Sequence, residues 1–324
     1  MKRFRLAAAL LLLAALLAGC MRSEPGQSWT PVEDVPKIPE QLEKSESAGM
    51  PTLTVYDVNR EALSEMDIET YVQGVVAGEM KNDWPLEALK AQAILARTFT
   101  LKFCQDKKSK YKGADISTDV TEAQAYDAKA VNDPVKQAVR ETRGMAMAYE
   151  GKYPYAWFHA HAGGMTELPS VSLDFEDDDP AYLKPVKSDD ADEAPDSVKR
   201  WTASFTKAQV ARACADAGVK LSAKEIEGVE VGEKGESGRA KTLKIGGKTV
   251  SAASFRIQIG ANKLKSTLID GITVNGDQVT FTGRGFGHGV GLSQWGAYRM
   301  AEEGRTAPQI LQKYFPSVGI VELW

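Results

Sequence analysis

Cysteine and histidine are scarce in this chain, three of each in 324 residues, so a disulfide scaffold or a multi-ligand metal cluster has little to be built from. No Lys/Arg tract occurs and the net charge is −4. A protein held to nucleic acid by its phosphates needs a basic face that releases counterions, and that class is excluded. Nor is any apolar run as long as the ~20 residues that cross a bilayer. What is present, 43% hydrophobic and 26% charged residues with 28 Gly and 14 Pro, is ordinary globular composition. It suffices for one large or two moderate domains and is too apolar for wholesale disorder.

The longest apolar run, Leu6 to Gly19, follows Lys2, Arg3 and Arg5 and ends at Cys20. A basic start, a short apolar stretch and small residues before a cut site describe a signal peptide over 1–19. Leu17-Ala18-Gly19-Cys20 resembles a bacterial lipobox, in which the Cys thiol is acylated and becomes the new N-terminus. Residues 20–50 carry Pro25, Pro31, Pro36 and Pro39 without apolar periodicity and read as a lipid-anchored tether. Such a coil reaches on the order of 30 Å above the membrane. The working compartment is then extracytoplasmic, where NAD and ATP are not available, and no cofactor is expected.

Residues 51–324 read as the folded domain, of class α+β: a helical N-terminal half and a β-rich C-terminal half with mixed or antiparallel strands, dividing, if it divides, into 51–190 and 191–324. Leu53 to Val58 alternates as a strand, and Ile68, Val72, Val75 and Glu79 share a helical face. A second helix starts near Asp83-Trp84-Pro85, with Asp83 as its expected N-cap, and runs through Leu89, Ala93, Ala96 and Phe103. Strands are expected over Ile226–Val231, Thr242–Ile245, Phe255–Ile259 and Gln278–Thr282, then helices over Gln294–Glu303 and Pro308–Tyr314. Asp174 to Asp196 holds ten Asp/Glu and reads as a solvated acidic loop, its spacing unlike that of an EF-hand.

Three groups of residues are candidates for chemistry. Glu79 lies on the apolar face of its helix and near the helix C-terminus, and both placements disfavour its charge. A carboxyl kept protonated near neutral pH suits general acid catalysis, although a Glu there can also reach solvent or pair with Lys81, Lys90 or Arg97. Lys90 and Arg97, seven apart on one helical face, orient that acid if the face turns toward it and are otherwise solvated. The second group, Gly283 to Ala297, alternates Gly with Arg284, Phe286 and His288. It matches no nucleotide loop, and a tight backbone crossing and a substrate-lining loop are both open. The third, Phe158 to Glu167, holds His159 and His161 in a His-x-His pair, but further zinc ligands are hard to find. Cys104 and Cys214 form either one disulfide or two buried thiols. No Gly-x-Ser-x-Gly elbow supports a serine hydrolase.

Taken together these stretches resemble the SpoIID/LytB domain family. The matching segments are Tyr71-Val72-Gln73-Gly74-Val75-Val76-Ala77-Gly78-Glu79-Met80, then Trp84-Pro85-Leu86-Glu87-Ala88-Leu89-Lys90-Ala91-Gln92-Ala93 with Ala96-Arg97-Thr98, then Gly163-Gly164 with Thr166-Glu167, and Gly283 to Ala297. The resemblance runs from about residue 52 to the end of the chain. It implies an exported, membrane-attached lytic transglycosylase that cuts between N-acetylmuramic acid and N-acetylglucosamine, in sporulation members on strands already stripped of stem peptides during engulfment. Its implied partners are glycan strands, a cell-wall amidase and other sporulation membrane proteins. Glu79 matches the family's acid/base glutamate. Lys90, Arg97, Glu167, Arg284, His288 and Gln294 are the expected substrate-binding residues, and Trp84, Tyr155, Trp157 and Trp295 the expected surfaces for sugar stacking. Some sporulation members bind zinc around the Gly-Gly segment; here Ala162 and Met165 flank it with no Cys near, so no metal is expected. The rival implication is a non-catalytic protein that holds glycan or enhances a separate amidase, and a lipoprotein solute binder is a third class.

Overall fold

Alternation produces the first strand of the computed structural model, which describes residues 32–43 and 49–324. The expected signal peptide and Cys20 lie outside the described residues. Leu53 and Val55 point inward and are fully buried in β1 (Thr52–Asp57), which pairs antiparallel with β2 (Ala62–Asp67). The Asp67 carboxylate then accepts the Thr70 N–H at 2.8 Å and caps α1 (Ile68–Glu79). At α2 (Leu86–Asp106) the expected cap does not form. Pro85 takes the N-cap position with no side-chain bond, its ring fixing φ at −51°, and Asp83 stays exposed in the turn before it. α2 is the axis of the first core, with Leu89, Ala93 and Ala96 fully buried. Around it lie β3 (Ile116–Ser117), parallel to β1, then α3 (Asp133–Glu141), β4 (Met145–Ala148) and β5 (Phe158–His159).

A second apolar cluster is built from β6 (Arg200–Thr206), α4 (Lys207–Asp216), the meander β7 (Val229–Val231), β8 (Thr242–Ile245) and β9 (Lys248–Ser251), α5 (Ala252–Gly260), and the hairpin β10 (Ile269–Asn275) and β11 (Gln278–Arg284). Its larger sheet has the order β10-β11-β6, all antiparallel. The strand expected over Phe255–Ile259 is instead helix α5. Ser251 Oγ accepts the Ser254 N–H at 3.1 Å, and the Asp174 carboxylate accepts the same N–H at 3.1 Å. Two caps at one terminus outweigh a three-residue alternation of which Phe255 is fully buried and Ile257 is 63% exposed. Of Ile226–Val231, only Val229–Val231 is strand.

The chain then returns to the first core. β12 (Leu292–Ser293) pairs parallel with β5, α6 (Gln294–Glu302) and α7 (Ala307–Tyr314) pack on α2, and β13 (Gly319–Glu322) pairs antiparallel with β4. The split is therefore not at 190/191. The second cluster spans Trp201 to Phe281, and Val290 to Val318 rejoin the first, because both β pairs draw the C-terminal residues back across the N-terminal ones.

The α+β class holds, with helices dominating the first core and antiparallel strands the second. Part of the expected tether rests on the domain: Pro36, Pro39 and Leu42 are buried, and Tyr153 OH donates to Lys37 O at 3.2 Å. The acidic segment is not wholly solvated either. Asp190 is buried beside His161, and Asp174 caps α5. Among the described residues no helix is long and apolar enough to cross a membrane.

Candidate active site

Glu79 is the last residue of α1, on the same face as the fully buried Val72, Val75 and Val76, and its own side chain is half-buried. Its Oε1 accepts the Ala125 N–H at 2.7 Å, and its main-chain carbonyl accepts Gln294 Nε2–H at 3.1 Å. Among the described residues no ion pair reaches it. Burial raises the carboxyl above its ordinary value, and the Ala125 bond, which favours the ionised form, opposes that shift. The negative end of α1 adds to the first effect.

The walls of this corner come from the turn after α1 and from α6. Trp84 and Trp295 meet with ring centroids 4.4 Å apart, Tyr298 stands edge-on to Trp84 at 5.1 Å, and Lys81 Nζ lies 5.7 Å over the Trp295 ring. Both Trp rings are buried, whereas Lys81 is exposed and Tyr298 partly so. The turn is pinned by Asn82 Nδ2 donating to Ala130 O at 2.7 Å and by Asn132 Nδ2 donating to Asn82 O at 2.9 Å. Lys81 and Tyr298 are the parts of this corner open to solvent, and Glu79 joins it through its main-chain bond to Gln294.

The Gly-rich segment is a backbone crossing. His161 and Phe286 exchange both main-chain bonds at 3.0 and 2.9 Å, and Trp295 N–H donates to Ala160 O at 3.0 Å. A Cβ at Gly291 would stand 2.0 Å from Trp157 O, and one at Gly289 would stand 2.3 Å from the Arg239 guanidinium, so the alternating glycines are there for close approach. Arg239, fully buried, donates to Met165 O at 2.8 Å and Ala162 O at 2.7 Å and so ties the second cluster to the His-x-His segment. No motif or periodicity in the sequence marks it. This crossing places α6, hence Gln294, against Glu79.

Of the six expected substrate-binding residues, Gln294 is the one bonded to Glu79, and the others are spent elsewhere. Arg97 is fully buried and forms a two-nitrogen pair with Glu69, which also accepts the Gly144 N–H at 3.1 Å and the Trp324 Nε1–H at 3.1 Å. Lys90 pairs with Glu87 at 2.7 Å and Glu141 at 2.6 Å. Glu167 is buried and accepts from Ser237 N–H at 3.0 Å, Ser237 Oγ–H at 2.7 Å and Leu168 N–H at 2.9 Å. Arg284 pairs with Asp270 at 3.0 Å in the second cluster. His288 accepts the Val290 N–H at Nδ1, and burial lowers its pKa well below the ordinary value, keeping it neutral. The aromatic residues divide too. Tyr155 and Trp157 stack on each other at 4.5 Å with Lys102 Nζ 4.2 Å over Tyr155. Lys102 is sixteen residues along α2 from Leu86, roughly 24 Å at 1.5 Å per residue.

His159 Nδ1–H donates to Val290 O at 3.1 Å, and burial pushes its pKa down to about 3. His161 Nδ1 faces Asp190 Oδ2 at 3.0 Å. Among the described residues no group of three His, Cys, Asp or Glu is arranged to hold a metal. Cys104 and Cys214 are free thiols in different cores, and burial pushes both up, Cys214 to about 11, so neither is a ready thiolate.

A family model described as Stage II sporulation protein matches residues 56–149, the part that carries Glu79, and one described as a domain of unknown function matches residues 163–291. Stage II sporulation protein D of Bacillus subtilis is 32% identical over 284 residues, covering 84% of this chain and 79% of the relative. An uncharacterized protein of Brachyspira hyodysenteriae is 34% identical over 261 residues, covering 80% of this chain and 68% of the relative. The amidase enhancer of Bacillus subtilis is 29% identical over 292 residues, 76% of this chain and 39% of the relative.

Proposed function

Since this chain belongs to the stage II sporulation protein D (SpoIID) family, we propose that it acts on the cell wall outside the cytoplasm, cleaving peptidoglycan glycan strands as a lytic transglycosylase with Glu79 as its single acid/base. The observation that carries this reading is a half-buried carboxyl at a helix end, raised by burial and, among the described residues, free of any ion pair. A protonated Glu79 gives its proton to the glycosidic oxygen as the bond to the muramoyl C1 breaks. The carboxylate then takes the proton of the muramoyl 6-hydroxyl as that oxygen bonds C1, leaving a 1,6-anhydro end. Because the nucleophile belongs to the substrate, the second carboxylate of ordinary glycosidases is not required. Acylation of Cys20 would hold the domain at the membrane.

A second reading has its own support in the amidase enhancer relative: a glycan-holding partner of a separate amidase. Peptide-free glycan strands incubated with the protein purified without its first twenty residues separate the two. Anhydromuramoyl ends seen by mass spectrometry, and absent with Glu79→Gln, support the enzyme. Intact strands that remain bound to both forms refute it and leave the enhancer.

A further inference from the structure

Among the described residues one donor reaches the Glu79 side chain, the Ala125 amide, and two glycines on Glu79's own helix let it approach. Gly74 and Gly78, four residues apart, lie on one face of α1. A Cβ at Gly74 would stand 2.2 Å from the Tyr126 ring, and one at Gly78 would stand 2.7 Å from both Ala125 C and Tyr126 N. The loop 118–127 therefore rests directly on the helix backbone. It is held there by Asp127 N–H donating to Gly74 O at 2.9 Å and by Tyr126 packing on Tyr71 at 5.5 Å. Glycine is a poorer helix former than alanine, so α1 gives up intrinsic helix stability for this contact. What the contact delivers is the Ala125 N–H, 2.7 Å from Glu79 Oε1.

We propose that the Gly74/Gly78 groove is a positioning device for the acid: by seating the Ala125 amide on Oε1, it leaves Oε2 as the oxygen that carries and delivers the proton. The inference rests on the reading of Glu79 as general acid. In the forward step the Oε2–H bond breaks, the proton bonds the glycosidic oxygen, and the C1–O electron pair leaves with that oxygen. The negative charge then appears on a carboxylate whose Oε1 already faces an N–H, and a hydrogen bond to a charged acceptor is stronger than one to a neutral acceptor. In the return step the 6-hydroxyl proton goes back to Oε2. The ionisable groups on the elements next to Glu79 in the chain or packed on its helix are Tyr71 on α1, Lys81 and Asp83 in the turn after it, and Glu122, Tyr126 and Asp127 on the loop. The amide is the donor that touches the carboxylate.

The test reads the Glu79 protonation midpoint directly, by NMR of carboxyl-labelled protein, in Gly78→Ala and Ala125→Pro. The first pushes the loop off the helix while favouring the helix itself, and the second deletes the N–H from the loop side. Both midpoints move up, because the lost bond favoured the ionised form. The alkaline limb of glycan cleavage moves up with them, and the maximal rate falls about tenfold, the worth of one charge-assisted bond. Gly228→Ala, where a Cβ meets nothing within 4 Å, changes neither readout. Wild-type midpoints in a folded Ala125→Pro overturn the proposal whether or not Gly78→Ala folds. Shifted midpoints in a protein that cleaves no glycan uphold the positioning and sink the acid reading instead.

Discussion

The two ends of α1 each hold a glutamate withdrawn from solvent, and they have opposite fates. Glu69, in the first turn, sits where the helix favours negative charge and is met by two Arg97 nitrogens, the Gly144 N–H and the Trp324 indole. Glu79, in the last turn, sits where the helix disfavours charge and meets one backbone N–H. The carboxylate at the first end joins residues 69, 97, 144 and 324 into one core. At the second end burial and the helix terminus both favour the protonated carboxyl, against a single backbone N–H. Partner count and helix polarity together set the surroundings of the two carboxylates apart.

That contrast can be broken at either end. Glu79→Gln is expected to lower glycan cleavage by about 10²–10⁴-fold, the usual worth of a general acid, with the fold intact by circular dichroism. The same variant carries a pH signature. A carboxyl raised by burial binds its proton more tightly in the folded than in the unfolded state. Its contribution to stability is therefore full below the unfolded carboxyl value and is lost as pH rises through the folded one. Melting temperatures of Glu79→Gln should gain on wild type as pH climbs through that window, and parallel curves would contradict the burial argument.

Arg97→Met attacks the other end by leaving Glu69 buried without its cation. The expected loss is about 3–5 kcal/mol by urea unfolding, with no specific change in catalysis per folded molecule. Trp324→Phe keeps the packing and deletes one donor to Glu69, for about 1.5 kcal/mol by the same measurement. Lys90→Met, which removes a partly exposed pair with Glu87 and Glu141, should cost about 1 kcal/mol or less and leave cleavage unaltered. A large cleavage defect there would return Lys90 to the substrate site.

Glu79 was legible because both reasons for singling it out, its helical face and its place at the helix end, are local. Gln294 was reachable through the segment that resembles a known family, and nothing in its own neighbourhood marks it. For most of the remaining charged candidates the partners were not legible. Arg97, Glu167 and Arg284 find their partners at Glu69, Ser237 and Asp270, and only the last of these lies within twenty residues. Helical spacing put Lys90 and Arg97 on one face but could not say what covers it. Arg239 carried no signal at all, since one Arg in a polar stretch looks like any solvated cation until the glycines of the crossing close over it.

By itself the sequence determined the helix around Glu79, the glycines at positions 74, 78 and 285–291, and the class of the fold, because periodicity and backbone freedom act over a few residues. The tertiary structure decided which charges are paired and, among the described residues, that Glu79 meets no ion pair, and that the last forty residues close the first core rather than extend the second. Those outcomes depend on pairings between residues tens to hundreds of positions apart, such as Gln294 with Glu79 and Trp324 with Glu69, which only the folded chain brings together.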